Sequence, residues 1–258
     1  MAHAPRHVLI TGASRGIGAA LAAVDAAPGV RLALTADERD GLDAVAARAT
    51  AQGAAVAVRA LDVRDGAALA AWIAERDAAA PLDLAIANAG INRPDDPPGT
   101  ALDNLRLLLE TNVLGEAQVV NACLPGMLAR GRGQLALVSS LVGLVGFGGM
   151  ASYGASKAAI RVYGQALRGE LAPRGIKVNV VCPGFVTTAM AAQVEGTRMG
   201  EWSPERAARF IQRGLARDRG LVALPPLEAL GVRLVGILPG LLLDRIGRRF
   251  RYRVRMPE

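Results

Sequence analysis

Tyr153 and Lys157 stand four residues apart, just ahead of the apolar positions Ala158, Ala159, Ile160 and Val162. Residues at that separation share a helix face, so a phenol and an ammonium would project into the same space. The cation favours the phenolate, which makes the phenol's proton easier to move. Such a group is a general acid toward a carbonyl oxygen, or a general base toward an alcohol. A surface pair of no chemical consequence is the ordinary alternative. Ser140 precedes Tyr153 by 13 residues across a Gly-rich connection. A serine at a strand end and a tyrosine at a helix start can meet over one substrate oxygen, the hydroxyl donating a hydrogen bond while the phenol delivers the proton. A fixed donor aimed at developing charge is a large catalytic contribution.

These residues need a scaffold, and the pattern around them supplies one. Val8 to Thr11 reads as a short strand. It runs through Gly12-Ala13-Ser14-Arg15-Gly16-Ile17-Gly18 into an Ala/Leu helix ending near Ala27. Glycines let the backbone turn tightly and approach a pyrophosphate, whose charge rests on the helix N-terminus. Further strands are predicted over Val30–Thr35, Ala54–Leu61, Leu82–Ala87, Gln134–Val138 and Lys177–Val181. Helices are predicted over Glu38–Ala51, Gly66–Ala79, Leu102–Leu128 and from Tyr153 to Leu171. Alternating strands and helices with near-continuous apolar strands argue for an α/β fold with a doubly wound parallel sheet of six to seven strands, helices on both faces. In such sheets ligands bind beyond the carboxyl ends of the strands. Gly12, Asp62, Asn88, Ser140 and Pro183 all fall there. Asn112, a poor helix former in mid-helix, reads either as a kink or as the holder of a water linking Lys157 to solvent. With no repeat or linker, residues 1–258 are read as one domain.

Composition narrows the function. The chain of 258 residues is 52% hydrophobic and only 3% aromatic, which suits buried strands under Ala-rich helices. The net charge of +7 comes almost wholly from arginine, since Lys157 and Lys177 are the only lysines. The arginines are spread over many helices, and no nucleic-acid-binding module is present. Cys123 and Cys182 show neither a disulfide framework nor metal-ligand spacing, so no metal is expected. The polar start from Met1 to His7 lacks an apolar signal region. A reducing cytoplasmic setting is the default expectation, with the inner membrane surface as the alternative if the C-terminal tail touches lipid.

Jointly, the glycine loop from Thr11, Asp62-Val63, Asn88-Ala89-Gly90, Asn112, Ser140, the Tyr153/Lys157 pair and the segment Pro183-Gly184-Phe185-Val186-Thr187-Thr188 resemble the short-chain dehydrogenase/reductase family in its single-domain form. The resemblance covers about residues 7 to 190. It implies a Rossmann-type fold and hydride transfer with NAD or NADP. It further implies Tyr153 as acid/base, Ser140 as donor to the substrate oxygen, Lys157 on the nicotinamide ribose and Asn112 in a proton relay. Gly12, Ser14, Arg15, Gly16, Ile17 and Gly18 would cradle the cofactor. Asp37 would lie at its adenosine ribose, and Asp62 and Val63 at its adenine. Asn88, Ala89 and Gly90 would lie along it, and Pro183, Gly184, Val186 and Thr188 at the carboxamide end. Ser139 is set aside, because the spacing favours Ser140 and strand alternation points its neighbour elsewhere. A homodimer or homotetramer is implied in the same way. A non-catalytic sensor or scaffold of this fold would be expected to lack Ser140, Tyr153 or Lys157. An epimerase or dehydratase acting on nucleotide sugars would be expected to carry a larger C-terminal domain.

After the second strand, Asp37, Glu38 and Arg39 offer both signs of charge. Arg15 suits a 2′-phosphate and tilts the expectation slightly toward NADP. Leu141, Val142, Leu144, Val145, Phe147, Met150, Phe185 and the segment Ala189–Trp202 are predicted to wall the substrate site. They point to a hydrophobic ketone, aldehyde or secondary alcohol. Residues 189–226 would supply a lid and the last core elements, with a serine-capped helix from Ser203 to about Arg217 and a short strand over Leu221–Leu224. The tail, 227–258, is read as helical, its apolar turns between Leu227 and Ile246 broken by Pro239-Gly240 and followed by Arg245, Arg248, Arg249, Arg251, Arg253 and Arg255. Apolar turns next to arginines suit an interfacial helix on an anionic membrane. The alternative is that the leucines cover the lid or a partner subunit.

Overall fold

Side chains alternate across β1 (His7–Thr11): Val8 and Ile10 enter one apolar layer and Leu9 the other, all fully buried. A strand buried on both faces belongs inside a parallel sheet covered above and below. The computed structural model of the chain, which describes residues 5–95, 101–196, 198, 200–239, 242 and 252–255, has that arrangement. β1 is joined by β2 (Arg31–Ala36), β3 (Ala55–Ala60), β4 (Leu84–Ala87), β5 (Gly133–Val138) and β6 (Ile176–Pro183). A short β7 (Val194–Glu195) lies outside this sheet, and β8 (Leu221–Leu224) completes it. The seven strands run parallel in the order β3-β2-β1-β4-β5-β6-β8. The order reverses between β1 and β4, and that is where the crevice of such a sheet opens.

One face is covered by α1 (Gly16–Asp25), α2 (Arg39–Ala51) and α8 (Pro204–Ala216), which bury Leu21, Leu42, Val45, Ile211 and Leu215. The other is covered by α3 (Gly66–Ala79), α5 (Gly115–Arg130) and α6 (Ala151–Leu171), through Leu69, Ile73, Val119, Val120 and Ile160. α4 (Ala101–Leu109) leads into α5. The short α7 (Ala189–Ala192) precedes β7, and α9 (Pro226–Gly236) follows β8. Ser203 caps α8 by accepting from Arg206 N at 3.3 Å, with Pro204 at its first position.

The sheet and its helices lie where the sequence pattern puts them, to within about two residues at most ends. Two elements differ. The helix expected from Leu102 to Leu128 is interrupted: Glu110–Leu114 forms a π-helical turn between α4 and α5. Asn112 is inside that turn. Its Oδ1 accepts from Ile91 N at 2.8 Å, and its Nδ2 donates to Ile91 O and to Ser156 Oγ, both at 3.0 Å. The widened turn brings this amide to the end of β4 and to α6 at once.

The tail differs more. α9 stops at Gly236, just ahead of the break expected at Pro239-Gly240; the stretch carrying Arg245, Arg248, Arg249 and Arg251 lies outside the described residues. The end of the chain returns as a strand, β9 (Arg253–Val254), antiparallel to β7. Arg255 N donates to Gln193 O at 2.8 Å beside it. Two-residue strands carry no periodicity, so no pattern in the sequence announces them. Among the described residues no helix is long and apolar enough to cross a membrane.

Candidate active site

The turn from β1 into α1 sets one end of the site. Gly12 and Gly16 hold φ of +64° and +58°, in the left-handed region that glycine adopts without strain. A methyl group on Gly12 would lie 2.7 Å from Ala89 Cα, and one on Gly16 would lie 3.2 Å from Thr188 Cγ2. The end of β4 braces this turn: Asn88 Nδ2 donates to Thr11 O at 3.0 Å and to Gly12 O at 3.1 Å. Thr11 Oγ1 accepts from the backbone N–H groups of Asn88 and Ala89. Gly18 sits behind the turn, pressed against Gly12 O, where it lets α1 close on the strand. Arg15, the N-cap residue of α1, makes no side-chain cap bond, and the first turn holds no acid. The opening N–H groups of α1 therefore face an anion site that no side chain of the helix start fills. A glycine turn with this close approach and a bare helix N-terminus fits a dinucleotide's diphosphate.

From this turn a cavity of about 1140 Å³ runs along the carboxyl edge of the sheet. Its volume exceeds the ~300–1,000 Å³ of ordinary small-molecule pockets, enough for two ligands end to end. Gly12, Ser14, Arg15, Gly16, Ile17, Asp37, Asp62 and Val63 line one end, and Asn88, Ala89 and Gly90 line the middle. Ser140, Tyr153 and Lys157 follow, then Pro183, Gly184, Phe185, Val186 and Thr188. Leu141 and Met150 lie on the same wall. Of the catalytic and cofactor residues expected from the sequence, Gly18 and Asn112 do not line the cavity.

Tyr153 is placed by the start of α6, and that start is capped from a distance. Asp95, in the loop after β4, accepts from Ala151 N at 2.7 Å and from Ser152 N at 3.1 Å. Ser139 Oγ donates to Lys157 O at 2.6 Å and ties α6 to the end of β5. Ser140 Oγ donates to Pro183 O at 3.2 Å and accepts from Val142 N at 3.4 Å, a loose pair of bonds that leaves the hydroxyl at the cavity wall. Lys157 Nζ donates to Val138 O at 2.7 Å and to Glu116 Oε1 at 3.0 Å. Burial pulls this ammonium down, but Glu116 and then Tyr153 outweigh it, so Lys157 stands above the usual lysine value. The Asn112 side chain bonds Ile91 and Ser156 and so braces the end of β4 against α6.

At the end of the cavity beside the glycine turn, Arg15 Nη1 lies 3.4 Å from Glu38 Oε2, both side chains largely exposed, and Asp37 stands beside them on the cavity wall. Hydrogen bonds from Arg64 hold the Asp62 carboxyl below its usual range, with Arg64 Nε donating to Oδ2 at 2.8 Å and Arg64 N to Oδ1 at 2.9 Å.

The opposite end is apolar: Val142, Phe147, Met190, Val194, Val232 and Val235 line it. Three expected wall residues turn elsewhere. Leu144 packs with Leu141 and Ala229 beneath α9, and Val145 lies under Gly236. Trp202 joins the core against Phe210, with Arg206 stacked 4.1 Å from its ring centre. Tyr252, from the returning tail, takes a place on the wall, its ring 5.9 Å from Phe147 and 5.7 Å from Phe185. Glu228, from α9, is the carboxylate among these groups, and burial raises it. Nothing in the sequence pattern marks Tyr252 or Asp95. Glu116 carried a signal, an acid on the helix stripe of Val119 and Val120, that composition alone did not bring out.

The sequence model of the short chain dehydrogenase family matches residues 6–198. An uncharacterized oxidoreductase of Myxococcus xanthus is 35% identical over 247 residues, covering 95% of this chain and 98% of that protein. The 3-oxoacyl-(acyl-carrier-protein) reductase of Escherichia coli is 34% identical over 183 residues, covering 70% of this chain and 74% of its own length. Among solved structures, a short-chain dehydrogenase from Sphingobium yanoikuyae in complex with NADPH superposes with a TM-score of 0.78 at 28% identity, covering 91% of this chain and 96% of that one.

Proposed function

The chain belongs to the short-chain dehydrogenase family and is an oxidoreductase, and on that premise we propose that it interconverts a hydrophobic ketone or aldehyde and its alcohol by hydride transfer with NAD(P), Tyr153 acting as the acid/base. One observation carries the reading: a single cavity joins the glycine turn to an apolar chamber, and Ser140, Tyr153 and Lys157 line it between the two. When bound, the nicotinamide supplies or accepts the hydride. The protein's own part is to hold and polarise the substrate oxygen. Ser140 turns its hydroxyl from Pro183 O toward that oxygen. Tyr153 gives a proton to it in reduction and takes one in oxidation, and Lys157 fixes the charge beside the phenol. Asn112 keeps α6 at its distance from β4. The apolar end excludes water and selects by shape.

The cofactor reading keeps a slight preference for NADP. Arg15 is the cation for a 2′-phosphate, and the Sphingobium relative holds NADPH. The preference is small because Glu38 already pairs with Arg15 and Asp37 faces the same corner. Glu38→Gln removes the competitor, so the NADP/NAD ratio of kcat/KM rises several-fold; an unchanged ratio contradicts the assignment.

Residues 189–226 are read as the lid and closing elements of the substrate chamber. Leu109, Leu114 and Val162 are exposed along the α4–α6 side, which suits a homodimer or homotetramer built on that face. Light scattering with Val162→Glu tests it: the assembly dissociates, or the face is wrong. On α9 and at its C-cap, Leu227, Leu230, Leu234 and Ile237 face outward, with Leu227 and Ile237 at 81% and 80% exposure, and an arginine-rich stretch of sequence follows. This suits peripheral contact with an anionic bilayer. Cosedimentation with anionic vesicles, lost on Leu234→Asp, is the expected outcome; equal pelleting of both proteins removes the contact.

The substrate reading is tested with a panel of ketones and secondary alcohols graded by apolar size, followed at the nicotinamide absorbance. Turnover rising with apolar size is expected. Turnover confined to small charged substrates overturns it.

A further inference from the structure

Lys157 has a partner that the reading above does not use. Glu116 opens α5 one turn beyond Asn112, and its Oε1 lies 3.0 Å from Lys157 Nζ. The two side chains are 4% and 1% exposed, so neither charge meets solvent. Glu116 Oε2 is buried with no hydrogen-bond partner. The ammonium in turn is held by this carboxylate and the carbonyl of Val138.

The elements around the pair show why it matters. Lys157 is fixed on α6, one helical turn after Tyr153, while Glu116 arrives from α5 behind the π-helical turn that carries Asn112. The other titratable groups that act on Lys157 are Tyr153 on its own helix and Cys182 on β6. Burial raises the Cys182 thiol to about 11, so it brings no charge at neutral pH. Burial lifts the Glu116 carboxyl to about 7, the Lys157 ammonium and the Val138 backbone offsetting it only in part. An ammonium buried without a counter-charge is strongly disfavoured and gives up its proton.

We propose that Glu116 is a positioning residue of the site: by ion pairing inside the protein it keeps Lys157 charged and fixed, so that the cation beside Tyr153 is set by α5. Its function rests on the oxidoreductase reading, since it acts through Lys157, but its effect on Lys157 is measurable without turnover.

The chain has two lysines, Lys157 and Lys177, so ¹⁵N-labelled lysine gives two amine signals with an internal reference. In the full-length wild-type protein the Lys157 signal should titrate above the Lys177 signal, or not at all within the stable range. In Glu116→Gln, which keeps the shape and the hydrogen-bond acceptor, Lys157 should titrate below Lys177, a reversal of order. Glu116→Asp should restore the wild-type order in part. With any substrate that turns over, the alkaline limb of the kcat/KM profile should move to lower pH in Glu116→Gln, whereas a purely structural loss would lower the whole profile without displacing it. A wild-type Lys157 that titrates at or below Lys177 overturns the proposal even if no variant folds. An unchanged order in a folded Glu116→Gln overturns it too. A wild-type protein that turns over no substrate of the panel, with the reversed order still seen in Glu116→Gln, would instead sink the proposed reaction and leave the pairing intact.

Discussion

Asp25 ends α1, the helix whose first turn faces the cavity, and it is buried against α8. Its Oδ1 accepts from Gln212 Nε2 at 3.3 Å, while Oδ2 has no partner. Burial lifts the carboxyl from 3.8 to about 6, with the Gln212 bond pulling slightly the other way. The folded state therefore holds this proton more tightly than the unfolded chain. Stability is full below about pH 3.8 and falls as the pH rises through about 6. A difference of about two pKa units, at about 1.36 kcal/mol each, gives a deficit of about 3 kcal/mol above pH 7. Asparagine at this position is a permanently neutral stand-in for the protonated acid. Asp25→Asn should match the wild type near pH 4 and exceed it by about 3 kcal/mol at pH 8, roughly 6–12 °C in Tm for a chain of this size. Thermal or urea unfolding of both proteins from pH 4 to 8 reads the effect. Stability curves that run parallel across that range would refute the argument, because the increment would then have nothing to do with the charge.

Three further outcomes follow from the geometry. Gly12→Ala places a methyl 2.7 Å from Ala89 Cα in a left-handed backbone, so cofactor affinity should fall at least tenfold, measured by fluorescence titration. Asp95→Ala removes both bonds to the start of α6 and should cost about 1 kcal/mol, with kcat falling more than cofactor affinity, since Tyr153 lies in the frayed turn. Tyr252→Ala opens the chamber between Phe147 and Phe185, so KM for the larger substrates of a panel should rise while that for the smallest changes little.

Much of this architecture was legible before any coordinates. Each strand of the sheet is a short apolar run between turn signals, and the glycine turn follows the first of them, so local pattern and global fold agree. The serine cap of α8 and the strand over Leu221–Leu224 were equally local. What was not legible depends on contacts far apart in sequence. Asp95 caps a helix whose start lies 56 residues away. The π-helical turn at Asn112 exists because that amide meets Ile91 and Ser156, which no helix-propensity argument contains. β7 and β9 are two residues each and exist only as a pair, and Tyr252 reaches the chamber only because they do. Leu144 and Val145 share an apolar run with the wall residues Leu141 and Val142, and hydropathy cannot say which side of a short loop faces a cavity.

If Tyr153 moves the proton while the rest of the cavity holds the ligands, removing its hydroxyl separates chemistry from binding. Tyr153→Phe keeps the ring packed on the apolar cluster of Met150, Val194 and Val254 and deletes only the hydroxyl. Cofactor affinity measured by titration should stay within about threefold, while single-turnover reduction of the best ketone in the panel, followed at the nicotinamide absorbance, should slow by about a hundredfold or more. Reduction by the variant within a few-fold of the wild-type rate would take the proton transfer away from Tyr153.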